Sequence, residues 1–170
     1  MNKRLAAGLL GAFILASLLP VHVFEIRAAE EDRPVYTRIV RPGFRFALGF
    51  IHSVEHCPVW DYLRIDGDYR IVLYKTAFWS SRTGLPYAAF GDEVFTVEGD
   101  HFTISNMHRV IPVIYQWVGA THENMLKINE SEMVPLAGLA GDTLLAIDVR
   151  RGNLFTFACT NLEIIFTRGS

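Results

Sequence analysis

The chain has 170 residues, of which 51% are apolar, and its 16 Lys and Arg residues nearly balance its 18 Asp and Glu residues. This length is enough for one domain with its own hydrophobic core and a tether, and it is short for two domains. The formal net charge is −2, and no stretch interleaves basic with aromatic residues. These features argue against a nucleic-acid-binding protein, so we expect no nucleic acid partner.

The first predicted element is an uncharged, apolar segment over residues 5–24. About twenty residues in a helix span the roughly 30 Å hydrocarbon core of a bilayer. Lys3 and Arg4 precede the segment, and acidic residues follow it at Glu25, Glu30, Glu31 and Asp32. The positive-inside rule therefore predicts a single-pass protein of the cytoplasmic membrane, with its domain on the extracytoplasmic, periplasmic side.

A cleavable signal peptide is the alternative, because Pro20 and the small residues Ala28 and Ala29 lie where exported proteins are processed. We favour an uncleaved anchor, and both alternatives export the domain. The chain then divides into an anchor or signal segment (1–24), a charged linker (25–34) and an extracytoplasmic β-domain (35–170).

Short runs rich in β-branched and aromatic residues follow the linker and are separated by Gly, Pro, Asp and Asn. The predicted strands are 35–40, 44–55, 58–66, 69–78, 93–98, 101–105, 143–150 and 155–166. Residues 110–118 also fit one face of a helix, but Pro112 favours a strand there, and residues 131–141 can hold one helical turn. This pattern predicts an all-β fold, a small antiparallel sandwich or barrel.

The chain has two cysteines, Cys57 and Cys159, in a compartment that permits oxidation. They either form one disulfide or remain two separate half-buried thiols. We favour separate thiols, because Cys159 lies in a predicted core strand. Neither cysteine belongs to a CxxC motif, and we expect no cofactor.

Two polar residues interrupt the apolar stripes of a predicted hairpin. Even positions from Phe46 to Val54 are apolar except His52, and odd positions from Val59 to Ile65 are apolar except Asp61. If His56 and Cys57 form a two-residue loop, His52 lies directly opposite Asp61. A hydrogen-bonded pair avoids the cost, several kcal/mol, of burying either group alone, so this register is predicted.

The next turn, Asp66-Gly67-Asp68, predicts a third strand that places Asp61 against Leu73 and returns to the His56-Cys57 corner. The loop after that strand should therefore lie beside the corner. Trp60, Trp79 and Arg82 are the expected anchors of contact, since aromatic and Arg side chains carry much of the energy of interfaces. The predicted binding surface comprises His52, Ser53, Glu55, Pro58, Trp60, Asp61, Trp79, Ser80, Arg82, Gly84, Leu85 and Pro86.

The string His52-Ser53-Val54-Glu55, with Pro58, Asp61 and a loop that ends Gly84-Leu85-Pro86, resembles domain-of-unknown-function family 1850 over most of residues 44–165. The resemblance implies a small protein with an N-terminal hydrophobic segment, of a kind often encoded beside TAXI-type TRAP transporters. It implies an accessory role in transport and brings no catalytic residues. The sequence departs from the family pattern at Asp61, where Glu is usual, and at Arg82-Thr83, where smaller residues are common.

Our first functional hypothesis is a non-enzymatic accessory domain that contacts a TRAP membrane subunit or solute-binding protein through the predicted surface. The alternative is an extracytoplasmic metal-dependent enzyme or ligand-binding domain that uses His52, Glu55 and Asp61. Their spacing matches neither HExxH nor an EF-hand loop, and a Ser53-His52-Glu55 relay would need a bulge.

Overall fold

The structure, a computed structural model, describes residues 15–80, 88–119, 123–129 and 131–168. This part of the chain contains twelve strands and two helices with defined bounds. They are β1 Pro20–Ala28, β2 Arg33–Val40, β3 Arg45–Ile51, β4 Pro58–Ile65, β5 Ile71–Phe78, β6 Val94–Glu98, β7 His101–Ser105, β8 Arg109–Ile111, β9 Ile114–Val118, β10 Met125–Ile128, β11 Glu132–Pro135, α1 Ala137–Ala140, β12 Thr143–Asn153 and α2 Leu154–Arg168.

The strands form two antiparallel sheets, which confirms the predicted β architecture. The smaller sheet has the order β2-β1-β12-β9, and the larger has the order β11-β10-β3-β4-β5-β7-β6, with β8 paired to the first half of β5. One apolar core joins the two sheets face to face, because side chains from both belong to the same buried cluster. Its fully buried members include Phe24, Ile26, Leu145 and Ile147 of the smaller sheet and Leu63, Ile65, Leu126 and Ile128 of the larger.

Strand β1 differs from the predicted division of the chain. It lies between β2 and β12 and buries Phe24 and Ile26 completely, so the predicted end of the anchor (1–24) and most of the linker (25–34) belong to the folded domain. The alternation of Phe24, Ile26 and Ala28 with charged Glu25 and Arg27 is the strand pattern that the apolar run before it concealed.

Two consequences concern the N-terminus. Processing at Ala28 or Ala29 would remove an inner strand, so that form of the signal-peptide alternative is incompatible with this fold. Residues 5–14 of the predicted anchor lie outside the described residues. Within the described part, no helix combines the length and apolar character that a membrane crossing requires.

Helix α2 replaces the strand predicted over 155–166. The side chain of Asn153 begins the helix, since its Oδ1 accepts a hydrogen bond from the backbone N–H of Thr156 at 2.9 Å. The Phe155-Thr156-Phe157 alternation suggested a strand, but Leu154, Phe157 and Ile164 share one helical face. That face contacts β1, β2 and β12 and covers the outer side of the smaller sheet.

The structure also shows the state of the two cysteines and the conformation of residues 110–118 and 131–141. Cys57 is buried, Cys159 is exposed on α2, and both thiols are free, so separate thiols were predicted correctly and a core position for Cys159 was wrong. Pro112 divides residues 110–118 between β8 of the larger sheet and β9 of the smaller. The helical turn predicted within 131–141 is α1, whereas β10 and β11 were not predicted.

Candidate functional site

The hairpin of β3 and β4 has a longer loop than predicted. Strand β3 ends at Ile51, which pairs with Pro58, so residues 52–57 form the loop and Leu48, not His52, lies opposite Asp61. The predicted pairing of His52 with Asp61 is therefore wrong. Val59, Leu63 and Ile65 nevertheless lie on the core face, as predicted. The observed pairing differs from the predicted one by an even number of residues, and such a shift leaves each side chain on the same face of the sheet.

His52 closes this loop. Its backbone N–H donates to the carbonyl of Cys57 at 2.9 Å, and its Nδ1 accepts from the backbone N–H groups of Val54 and Glu55 at 3.3 and 3.2 Å. These contacts fold residues 53–55 into a turn, and His56 follows in the left-handed region with a φ of 51°. The imidazole thus has a structural partner within its own loop, which explains why the strand ends before it.

Asp61 has a different partner from the one predicted. Ile65 pairs with Ile71, so the turn before β5 is longer than predicted, and a bulge beside Tyr62 shifts the register by one further residue. Asp61 therefore faces Thr76 rather than Leu73. The Thr76 hydroxyl donates to Asp61 Oδ1. Burial raises the pKa of Asp61, an effect that the Thr76 hydrogen bond and the charge of Arg109 oppose.

The first two residues after β5, Trp79 and Ser80, lie beside the 52–57 loop as predicted. Ser80 Oγ donates to Glu55 at 2.8 Å, and the backbone N–H of Trp79 donates to the carbonyl of Pro58 at 3.3 Å. The Trp79 ring stacks on His101 with their centroids 4.9 Å apart. We call loop 52–57 with residues 79–80 the corner. Arg82, Gly84, Leu85 and Pro86 lie outside the described residues.

The residues proposed for a metal site do not assemble into one in the described part of the chain. No group of three or more His, Cys, Asp or Glu residues there has a geometry suited to a metal ion. Ser53 is exposed in the turn, Glu55 accepts a hydrogen bond from Ser80, and Asp61 accepts one from Thr76 of the neighbouring strand β5. In the described structure, His52 and Glu55 therefore form contacts within the corner, and they do not assemble with Asp61 into one cluster.

Trp60 lies on the outer face of the larger sheet, where its ring covers Gly49 of β3. A Cβ built on Gly49 would lie 2.7 Å from ring atoms of Trp60, so only glycine fits beneath the indole. Beside the ring is an open recess of about 530 Å³, which we call the Trp60 recess. Its lining is mostly apolar and comprises Gly49, Phe50, Ile51, Pro58, Trp60, Gly119, Glu123, Asn124, Met125, Pro135 and Ala137.

One polar group of this recess stands out. Asn124 is 3% exposed, and its Oδ1 has no hydrogen-bond partner in the structure as described. A buried acceptor without a partner costs about 1–3 kcal/mol, which a bound donor would recover. The recess thus combines an apolar wall with one buried polar atom, as small binding sites do.

The corner and most of the Trp60 recess lie in a segment that matches a known protein family. The sequence profile described as "Domain of unknown function (DUF1850)" matches residues 46–134. The chain belongs to this family. The DUF1850 segment contains nearly all of β3 and then every strand through β11, and thus essentially the whole larger sheet, while β1, β12 and α2 lie outside it. Searches of curated proteins and of solved structures gave no match.

The DUF1850 sheet carries a second outer-face feature that sequence reasoning missed. Four cations surround two tyrosines there: Arg45, Arg64, Lys75 and Lys127 with Tyr62 and Tyr74. Part of the signal was visible, because Arg45 alternates with the apolar positions of β3 and Arg64 with those of β4. Lys127 could not be placed, since its proximity depends on the pairing of β10 with β3.

Proposed function

We propose that this DUF1850 protein is a membrane-tethered, extracytoplasmic accessory domain that binds a component of a TAXI-type TRAP transport system. The partner is the membrane subunit or the solute-binding protein, and contact is made through the corner and the Trp60 recess. The observation that carries the proposal is the recess itself, an open apolar site beside the corner. The transport link is supported by what the resemblance to the family implies.

The recess has features suited to an anchoring side chain of a protein partner. Trp60 and Phe50 offer aromatic surface to such a side chain, and Asn124 adds a polar residue to the lining. Val54, at the tip of the adjoining loop, is 60% exposed and extends the apolar surface. Binding energy of such interfaces concentrates in a few central pockets with a polar surround.

Tethering is supported by apolar surface at the other side of the molecule. Leu15, Leu18 and Leu19 are more than half exposed, and the backbone N–H of Leu154 donates to the carbonyl of Leu19 at 3.3 Å. The apolar N-terminal segment therefore enters the domain at the first residue of α2. The outward side of that helix is apolar too, with exposed Phe155, Leu162, Ile165 and Phe166. A bilayer would cover both surfaces together.

Tethering is tested by fractionation of cells that express the full chain. We expect the protein in the membrane fraction after carbonate extraction, and we expect its domain to be digested by protease added to spheroplasts. Recovery in the soluble periplasmic fraction, with a mass that lacks the N-terminal segment, would show a cleaved signal instead. Protection from external protease would contradict the extracytoplasmic location.

The partner is tested by site-specific photocrosslinking in membranes. A photoreactive amino acid at Val54 should capture a TRAP membrane subunit or solute-binding protein, whereas the same amino acid at Tyr115, 64% exposed on β9 of the smaller sheet, should not. Filling the recess with Ala137→Phe should abolish the crosslink. Equal capture at both positions, or capture unaffected by the filled recess, would refute the proposed surface.

A further inference from the structure

We propose that the outer face of the larger sheet binds a small anion that carries two or more carboxylate or phosphate groups, in a recess between Arg45, Lys75 and Lys127. This inference does not depend on the proposed function. The recess measures about 350 Å³ and lies around Ala47 and Tyr62. We call it the cationic recess, and its remaining lining residues are Phe46, Tyr74 and Asn129.

The strand register explains why the charges converge. Lys127, Ala47, Tyr62 and Lys75 lie in one row across four strands, which places the two lysines about 14 Å apart at their backbones. Lysine side chains reach several ångströms from the backbone, so both ammonium groups can approach one compact molecule between them. The small Ala47 leaves space in the middle of the row.

A second row adds two guanidinium groups of like charge. Arg45 lies directly opposite Arg64, an arrangement that destabilises a sheet when nothing neutralises it. Both guanidinium carbons lie over the Tyr74 ring, at 6.0 and 5.9 Å from its centroid. Lys75 Nζ lies 5.4 Å from the centroid of Tyr62. These cation–π contacts hold the cations in place, and no carboxylate of the described residues forms an ion pair with them.

Several other arginines of the described chain have a carboxylate partner, whereas these do not. Arg38, Arg70, Arg109 and Arg150 each form an ion pair with Asp or Glu. Among the described residues, none of the four cations of this face has such a pair, and none of those that line the cationic recess is acidic. The Nε of Arg64 is also buried, with no hydrogen-bond partner in the described structure.

An external anion would neutralise the cations that line the cationic recess. Carboxylate and phosphate oxygens accept charge-assisted hydrogen bonds from guanidinium and ammonium groups, and Arg is suited to hold them in two-point contact. The spread of cations across two rows matches a molecule with at least two anionic groups. The recess is open to solvent on the outer face of the sheet, opposite the side that α2 covers, so a free anion reaches it directly.

The test is calorimetric titration of the purified full chain with citrate and with pyrophosphate, at constant ionic strength set with sodium chloride. We expect saturable binding of at least one probe, and we expect Arg45→Gln with Lys127→Gln to weaken it at least about tenfold. The matched control is Arg151→Gln, which removes an exposed arginine from β12 of the other sheet and should leave binding unchanged. Thermal unfolding verifies that both variants remain folded.

Three outcomes would overturn the proposal. The first is that neither citrate nor pyrophosphate binds more strongly than chloride at the same ionic strength. The second is that Arg151→Gln weakens binding as much as the double variant does. The third concerns the source of the anionic group and uses a soluble short-chain phosphatidylglycerol as a further titrant. If this lipid binds the full chain and the double variant weakens that binding, while free citrate and pyrophosphate do not bind, the site takes a lipid headgroup and the proposal of a free anion fails.

Discussion

Replacing Gly49 with alanine tests whether the close contact with Trp60 shapes the outer face of the larger sheet. The new Cβ would lie 2.7 to 2.8 Å from three atoms of the indole ring. Carbon atoms in contact lie about 3.5–4.0 Å apart, so the ring or strand β3 must move by roughly 1 Å. Overpacking of this kind costs about 1–3 kcal/mol, which for a domain of this size lowers the melting temperature by roughly 2–12 °C.

The assay is thermal and urea unfolding, followed by tryptophan fluorescence, which also reports a displaced Trp60. Gly138→Ala is the matched control, because a Cβ at Gly138 of α1 meets no atom within 4 Å. Alanine favours helices over glycine by about 1 kcal/mol, so this control should be neutral or slightly stabilising. Unfolding of Gly49→Ala at the wild-type temperature, with unchanged emission, would refute the account of the contact.

Three further predictions concern stability measured by urea unfolding. Arg27→Met should cost about 3 kcal/mol, because it leaves the buried Asp148 without its 2.8 Å partner, whereas Arg33→Met, in an exposed pair, should cost under about 0.5 kcal/mol; equal losses would contradict this. Asp61→Asn should be at least as stable as wild type at pH 7. The pKa of Asp61 is raised in the folded state, so its protonated carboxyl contributes to the free energy of unfolding fully below pH 3.8, and this contribution is lost as the pH rises through the folded pKa. A difference between these two proteins that does not shrink toward pH 3 would exclude this linkage. Asn153→Ala should lower the free energy of unfolding by about 1 kcal/mol, because it removes the N-terminal cap of α2. If unfolding followed by circular dichroism shows no loss of stability, Asn153 does not have that role.

The sequence was informative where a pattern is local. The faces of β4 were predicted correctly, because alternate residues of a strand point to opposite sides whatever their partner strand is. The pairing of that strand was not, because the loop length depends on the side chain of His52 accepting backbone hydrogen bonds and on the positive φ of His56. Asp61 was therefore assigned the wrong partner although its face was right.

Segments next to strong apolar runs were the least predictable. Strand β1 follows a hydrophobic segment without a break, and its alternation begins only at Phe24. Helix α2 starts with alternating residues that also suit a strand, and only its fit against the smaller sheet selects the helix. The candidate site shows the same limit: Trp60 was identified from its residue type, whereas Asn124 and Met125 come beside it through the pairing of β10 with β3.

The position of β1 also sets the order in which the chain completes its fold. This strand is synthesised before all the others, yet Pro20 pairs with Asn153, more than 130 residues later. Until β12 has been synthesised, Phe24 and Ile26 have only the β1–β2 hairpin to cover them, and such non-local closure is slow because the intervening loop must be ordered first. The growing chain therefore holds an incomplete smaller sheet with an exposed strand edge, and we expect folding to depend on chaperones until β12 is available.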